Sequence, residues 1–340
     1  MQKAAVVILN WNGKSLLEKF LPSVLAYTDP ETAKTVVADN ASTDDSIAFL
    51  QEKFPQTEII LLDKNYGYAE GYNRALAEID TEYVILLNSD VEVTENWLIP
   101  VIEYMDQNPG IIVCQPKILS QRHNGFFEYA GACGGFLDKY GYPFCRGRIM
   151  DTVEKDHRQY DDLIDVLWAS GACMFIRSAD FKAAGGFDAR FFAHMEEIDL
   201  CWRLKSRGKR IVCFPESRVY HVGAATLNVE SPQKTYLNFR NNLLMIYKNL
   251  PEKDLSHVFK IRRILDYSAA FSFALKGKTA DAKAVFKARK DFKQMKNEYK
   301  NIRSENISKT TCGKIPEIYS NSILLDYYLK GKKYFSMIFK

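Results

Sequence analysis

The stretch Asn88-Ser89-Asp90-Val91-Glu92 follows the apolar run Tyr83–Leu87 and delivers oxygen-bearing side chains to the end of a strand. Alternate residues of an extended chain share a face, so Asn88, Asp90 and Glu92 point the same way. A hard divalent cation such as Mg2+ or Mn2+ takes oxygen ligands and commonly shares them with substrate phosphates, so one or two protein carboxylates suffice. Asp90 is the candidate ligand; the competing reading is a solvated turn after a strand. A second cluster, Glu196-Glu197-Ile198-Asp199, packs three carboxylates into four residues, behind Gly185-Gly186-Phe187-Asp188 and Phe191–Met195. Like charges this close raise one another's proton affinity, which makes Glu197, Glu196 and Asp199 candidates for a general base. Against that stands the ordinary preference of Glu for the first turn of a helix. A third candidate, His221 in Val219-Tyr220-His221-Val222-Gly223, becomes a metal ligand only if the fold returns it to Asp90.

The elements that must position these residues alternate. Ala4–Leu9, Thr35–Ala38, Glu58–Leu62 and Tyr83–Leu87 read as strands, separated by helical patterns over Leu16–Tyr27, Ser46–Phe54 and Gly71–Ile79. Such βαβ order predicts an α/β fold with a mostly parallel sheet between helices, and a ligand site at the carboxyl ends of the strands. Polar and small residues stand at those ends: Asn10-Trp11-Asn12-Gly13, Asp39–Asp44, Asn65–Tyr68 and Asn88–Asp90. Any one such cluster reads as turn and cap residues; four in succession indicate a site. A nicotinamide-dependent oxidoreductase would carry G-x-G-x-x-G between first strand and helix, where Asn10-Trp11-Asn12-Gly13 stands instead. From Gly110 to Asp165 the periodicity loosens into Gly- and aromatic-rich segments, which read as mobile loops and short antiparallel strands; Gly131–Gly147 and Trp168–Gly171 are candidate lids. Regularity returns with a strand over Trp168–Ile176, a helix over Glu197–Ser206 and a strand over Arg210–Phe214 that ends in a turn at Pro215.

Taken together, VVILNWNG, VADNASTDDS, NYGYAEGYNRAL, LLNSDVEV, GACMFIR with GGFD, and FFAHMEEIDLCWRLKSRG with VYHVG resemble glycosyltransferase family 2, in its rhamnosyltransferase-like branch. The resemblance covers roughly residues 3–250 and implies a GT-A fold, inverting sugar transfer and a nucleotide-diphosphate sugar donor such as dTDP-rhamnose or a UDP-sugar. It further implies that Asn10, Asn12 and Asp39 contact the nucleotide, with Asn65 and Asn73 shaping the same pocket. Asn88-Ser89-Asp90 would stand for the family's DxD motif, Asp90 and His221 binding a divalent metal. Relatives read Glu-Asp-x-Asp where this chain has Glu196-Glu197-Ile198-Asp199, so the base maps to Glu197, with Asp199 and Glu196 as alternatives. The non-catalytic alternative is a nucleotide-sugar-binding or tethering protein on the same fold.

With 340 residues, 47% hydrophobic and 26% charged, the chain can bury a large core. Its seven cysteines show no C-x-x-C pair, which suits a reducing cytoplasm. No apolar run is long enough to span a bilayer. Residues 251–340 hold 20 Lys and Arg against 9 Asp and Glu, whereas residues 1–250 hold 26 against 33. The expected division is therefore a catalytic domain over 1–250 and a basic helical region over 251–340. Lys276–Lys300 and Tyr327–Lys340 suit amphipathic helices, which could meet the inner membrane face and a lipid-linked saccharide acceptor, pack on the body, or form a homodimer contact. Without a recognised motif, no nucleic acid is expected.

Overall fold

The computed structural model describes residues 2–223 and 231–339, so only the last residue of the Tyr327–Lys340 segment falls outside it. Strand β1 (Ala4–Asn10) is buried except at Leu9, as expected of a strand covered by helices on both faces. Helix α1 (Lys14–Tyr27) turns Leu17, Phe20, Leu21 and Val24 inward at helical spacing. Then β2 (Ala33–Asp39), α2 (Ser46–Lys53), β3 (Glu58–Leu61), α3 (Gly67–Ala77) and β4 (Tyr83–Asn88) complete a parallel half-sheet in the order β4-β1-β2-β3. Its register sets Asn10 beside Asp39 and Leu9 beside Asn88, which levels three of the polar strand ends.

The other half of the sheet is mixed. After β5 (Val91–Val93) and α4 (Ile99–Gln107) comes β6 (Ile111–Ser120), which is buried along all but its last residue. A ten-residue strand stands here where the sequence reads as mobile loops and short antiparallel strands, because Gln115, Pro116 and Lys117 interrupt its apolar run. Their partners are remote: Gln115 donates to the carbonyls of Gly131 and Ala132, and Lys117 pairs with Asp156 and Asp161. Strands β7 (Gly135–Asp138), β8 (Pro143–Cys145), β9 (Arg148–Ile149) and β10 (Thr152–Val153) form a small second sheet. The chain returns through β11 (Ile164–Asp165), β12 (Cys173–Arg177), α5 (Ser178–Ala183), α6 (Glu196–Ser206) and β13 (Arg210–His221). The main sheet thus reads β11-β13-β6-β12-β4-β1-β2-β3, with β12 antiparallel to both neighbours. Strand β13 does not stop at Pro215. It crosses the proline in a register shift between Phe214 and Arg218, the kind of irregularity that tolerates a missing N–H, and runs on to His221.

One expectation changes, and one open alternative is met. The Trp168–Gly171 and Gly131–Gly147 segments are largely buried rather than exposed lids: the Trp168 indole donates to the Phe136 carbonyl at 3.0 Å and lies where a Cβ on Gly135 would be. The glycines here serve close approach. The basic C-terminal region, α7 (Pro232–Asn249), α8 (Glu252–Leu275), α9 (Thr279–Met295), α10 (Lys300–Ser308), β14 (Ile318–Tyr319) and α11 (Ile323–Tyr328), is built into the body. Strand β14 pairs with β7, the Ile323 and Phe335 amides donate to Asp138 and Glu154, and Tyr319, Ile323, Tyr327 and Phe335 join the main core. Among the described residues no helix is long and apolar enough to cross a membrane.

Candidate active site

The carboxyl edge of β1, β2 and β4 holds the first group. Asn10 and Asp39 are buried side by side, and the Asn10 amide donates to Asp39 Oδ2 at 3.0 Å. Ser42 ties the next loop to them: its amide donates to Asp39 Oδ1 at 2.8 Å, and its hydroxyl accepts from the Asn12 amide at 2.9 Å. Asn12 caps the same loop by accepting from the Thr43 amide. Asn65 accepts from Asn40 and from the Gly67 amide, which fixes the start of α3. Gly13 must be Gly, since a Cβ there would strike Asn10 Oδ1; the same point lies 3.8 Å from Ser89 Oγ, so this group adjoins the β4 turn. Asn73 goes elsewhere. Its side chain donates to the Phe187 carbonyl and accepts from the Phe187 amide, each at 2.9 Å, clamping Gly186–Phe187 rather than shaping the Asn10–Asp39 pocket.

The second group forms because β5 doubles back to pair with the end of β13, bringing His221 opposite Val91. Asp90 Oδ1 then lies 3.1 Å from His221 Nε2, with the Asn88 amide nitrogen 3.4 Å from the same ring nitrogen. Burial pushes the Asp90 carboxyl up, but contact with His221 outweighs it and leaves the group below its usual value. On the far side of the ring Nδ1 stands 3.4 Å from Glu128 Oε1, a residue that sequence reasoning missed because it lies in the irregular stretch before β7. Burial pulls the His221 pKa down, yet Glu128 and Asp90 hold it up at about 10. A carboxylate and an imidazole side by side, with a second carboxylate behind the ring to orient it, form a donor set that suits a divalent cation. Among the described residues no group of three or more His, Cys, Asp and Glu is arranged to hold a metal, so the remaining ligands would have to come from substrate oxygens and water.

The third group is the acidic trio, and the structure splits it. Asp199 is fully buried, with Oδ2 3.0 Å from Arg203 and 2.8 Å from Lys248 and Oδ1 accepting from Asn249. Its carboxylate is committed to an internal ion network that also takes in Asp188. Asp199→Ala would leave Lys248 and Arg203 under-compensated, so a destabilisation of roughly 3–5 kcal/mol in denaturant unfolding is expected, far exceeding that of a change at Glu197.

Glu196 and Glu197 open α6 after a segment with positive φ at Phe192, His194 and Met195, a conformation that non-glycine residues rarely adopt. Two helices pin that segment. The Tyr68 and Ala69 amides at the start of α3 donate to the Phe192 carbonyl, and Asn241 on α7 donates to the carbonyls of Phe191, Ala193 and His194. Asn241 is another residue without a sequence signal, since its partners are backbone carbonyls some fifty positions away. Burial pushes the Glu197 carboxyl up to about 7 and raises the Glu196 carboxyl well above its usual value, with Glu197 itself adding to the latter.

Electrostatic contacts join the groups. Glu128 and Glu197 both act on the buried Cys145 thiol, which burial pushes up to about 11. Burial, with Lys234 nearby, pulls His194 down to about 4, and Lys234 in turn feels Glu128. Asn10 Oδ1, His194 Nε2, Glu196 Oε2 and Glu197 Oε2 are all sealed from solvent without a hydrogen-bond partner.

Comparison with known proteins bears on the family and the fold. The family model described as "Glycosyl transferase family 2" matches residues 5–180. An N-acetylglucosaminyl-diphospho-decaprenol L-rhamnosyltransferase of Mycobacterium tuberculosis is 25% identical over 230 residues, covering 64% of this chain and 75% of that protein. Among solved structures, GalNAc-T7 with UDP, GalNAc and Mn2+ superposes with a TM-score of 0.59 at 15% identity, covering 94% of this chain and 59% of that one. S. aureus TarS 1-349 in complex with UDP-GlcNAc gives 0.57 at 17% identity, covering 91% and 89%. At such identities these two speak for the fold.

Proposed function

The chain belongs to glycosyl transferase family 2, and from that premise we propose that it moves a sugar from a nucleotide-diphosphate donor to an acceptor hydroxyl with inversion at the anomeric carbon. The observation that carries this reading is the turn after β4, which brings Asp90 to His221 beside the buried Asn10–Asp39 pair. In this reading Asn10 and Asp39 receive the nucleotide, with Asn12 and Asn65 holding the loops around them. Asp90 and His221 would hold Mg2+ or Mn2+, which when bound offsets the charge that develops on the departing diphosphate. Glu197 takes the proton of the acceptor hydroxyl as it attacks the face opposite the leaving group; its carboxyl is poised near neutrality, the useful range for a general base. Burial and the Glu197 charge raise the Glu196 carboxyl well above its usual value, and Asp199 keeps a structural role. The M. tuberculosis relative's name supports rhamnose as the transferred sugar and a lipid-linked saccharide as acceptor, a chemistry that suits surface polysaccharide assembly. Such an acceptor would place the protein at the inner membrane face.

Incubation with dTDP-rhamnose, UDP-GlcNAc and other nucleotide sugars, with and without Mn2+, tests this reading. Metal-dependent thermal stabilisation by one donor, followed by its turnover with a lipid-linked saccharide, is the expected result. Donor binding without turnover in the presence of acceptor would favour the tethering alternative, and no binding of any donor would end the proposal.

A further inference from the structure

The outer face of α8 carries Ile264, Tyr267, Phe271 and Leu275, which are 61%, 43%, 65% and 73% exposed. Steps of three, four and four residues align them in one stripe along the helix. Phe286 of α9, 55% exposed, widens the stripe by stacking on Tyr267 with ring centroids 5.5 Å apart. The opposite face holds the helix to the protein through Val258, Arg262, Asp266 and Ala270, so the exposed side chains do not serve that packing. Apolar side chains scattered singly on a surface need no explanation, but a contiguous row does.

Its surroundings decide the occupant. Lys260, Arg263, Lys276 and Lys283 are exposed around the row and Lys287 pairs with Asp291, whereas the other carboxylates of α8 and α9 are withdrawn from it or, like the exposed Glu252 and Asp254, stand at the far N-terminal end of α8. Asp266 is buried between Arg262 and Arg289, and the half-buried Asp281 and Asp291 accept from Thr235 and Tyr236. The positive charge is local, since residues 1–250 carry more acids than bases. A second copy docked through this same face would set lysines against lysines. An anionic bilayer satisfies both features: aromatic and aliphatic tips enter the headgroup boundary while the long basic side chains reach the lipid phosphates.

We propose that the exposed stripe of α8, widened by Phe286, docks this protein onto an anionic lipid surface. The inference deepens the lipid-linked acceptor reading above and has its own test. The full chain is used, because residues 251–340 are part of the core. In flotation with vesicles of phosphatidylcholine alone or with one third phosphatidylglycerol, the protein is expected to rise with the anionic vesicles and to release as salt is raised. Phe271→Asp with Leu275→Asp should weaken this partition roughly tenfold or more, while metal-dependent donor hydrolysis in vesicle-free buffer stays unchanged. Equal flotation of variant and wild type, no flotation at all, or a wild-type dimer in sedimentation that the variant dissolves would each overturn the inference. Loss of donor hydrolysis from the wild type would instead strike the enzymatic reading and leave the flotation result standing.

Discussion

In Glu197→Gln, sugar transfer is expected to fall about 10²–10⁴-fold in kcat with donor affinity retained, while the protein becomes more stable at alkaline pH. Both effects have one cause. Glu197 Oε2 is sealed from solvent with no hydrogen-bond partner, and burial pushes the carboxyl from 4.5 up to about 7. A folded-state pKa above the unfolded one means that the native protein binds this proton more tightly. The stability it contributes is full below about pH 4.5 and is lost as pH rises through about 7. Gln has no proton to lose, so the variant's advantage in denaturant unfolding should grow between pH 5 and pH 8. It should reach about 1–2 kcal/mol, discounted because the side chain keeps some access to water. Wild-type kcat should rise with pH through the same region as the base ionises. A variant with wild-type kcat would shift the base to Glu196; one that loses activity and stability together would point to a structural role.

The parallel half of the sheet was legible in the sequence because its strands are short and rich in β-branched residues, with β1, β2 and β4 largely buried, and because each is followed by small polar residues. Asn10, Asp39 and Asp90 could be placed together at one edge for that reason: a parallel sheet fixes which end of each strand they occupy. The remainder depends on pairings at long range. Strand β6 was hidden by Lys117, whose charge is answered by Asp156 and Asp161 about forty residues on. Glu128 sits in a stretch with no period, and only the β13 register carries His221 to it. Asn73 looked like a pocket residue and Asp199 like a base because each stands in the right motif. Where each side chain finds its partners, Phe187 for Asn73 and Lys248 and Arg203 for Asp199, is what spacing cannot encode. The C-terminal region shows the same limit: its charge was plain, but the pairing of β14 with β7 was not.

Asp90→Ala and His221→Ala should each lower kcat by about 10²–10³-fold and abolish the stabilisation that Mn2+ adds in the presence of UDP. The protein itself offers few ligands. With Asp90 and His221 as the pair and, among the described residues, no third side chain arranged to complete a cage, the cation and the donor diphosphate are expected to bind together. Calorimetric titration of wild type should therefore show weak Mn2+ binding alone and much tighter binding with UDP, a coupling that either substitution removes. Glu128 offers the discriminating control. It stands behind the ring, against Nδ1, and would act by fixing which nitrogen faces Asp90. Glu128→Gln should weaken Mn2+ binding roughly 10–100-fold, with kcat recovering at saturating Mn2+, whereas no concentration of metal should rescue Asp90→Ala. Mn2+ affinity that is the same with and without UDP, or that survives both ligand substitutions, would mean that the Asp90–His221 contact is only an internal ion pair at the edge of the sheet. Recovery with metal in one variant and not in the other separates a residue that aims a ligand from one that is a ligand, a distinction that loss of activity alone could not make.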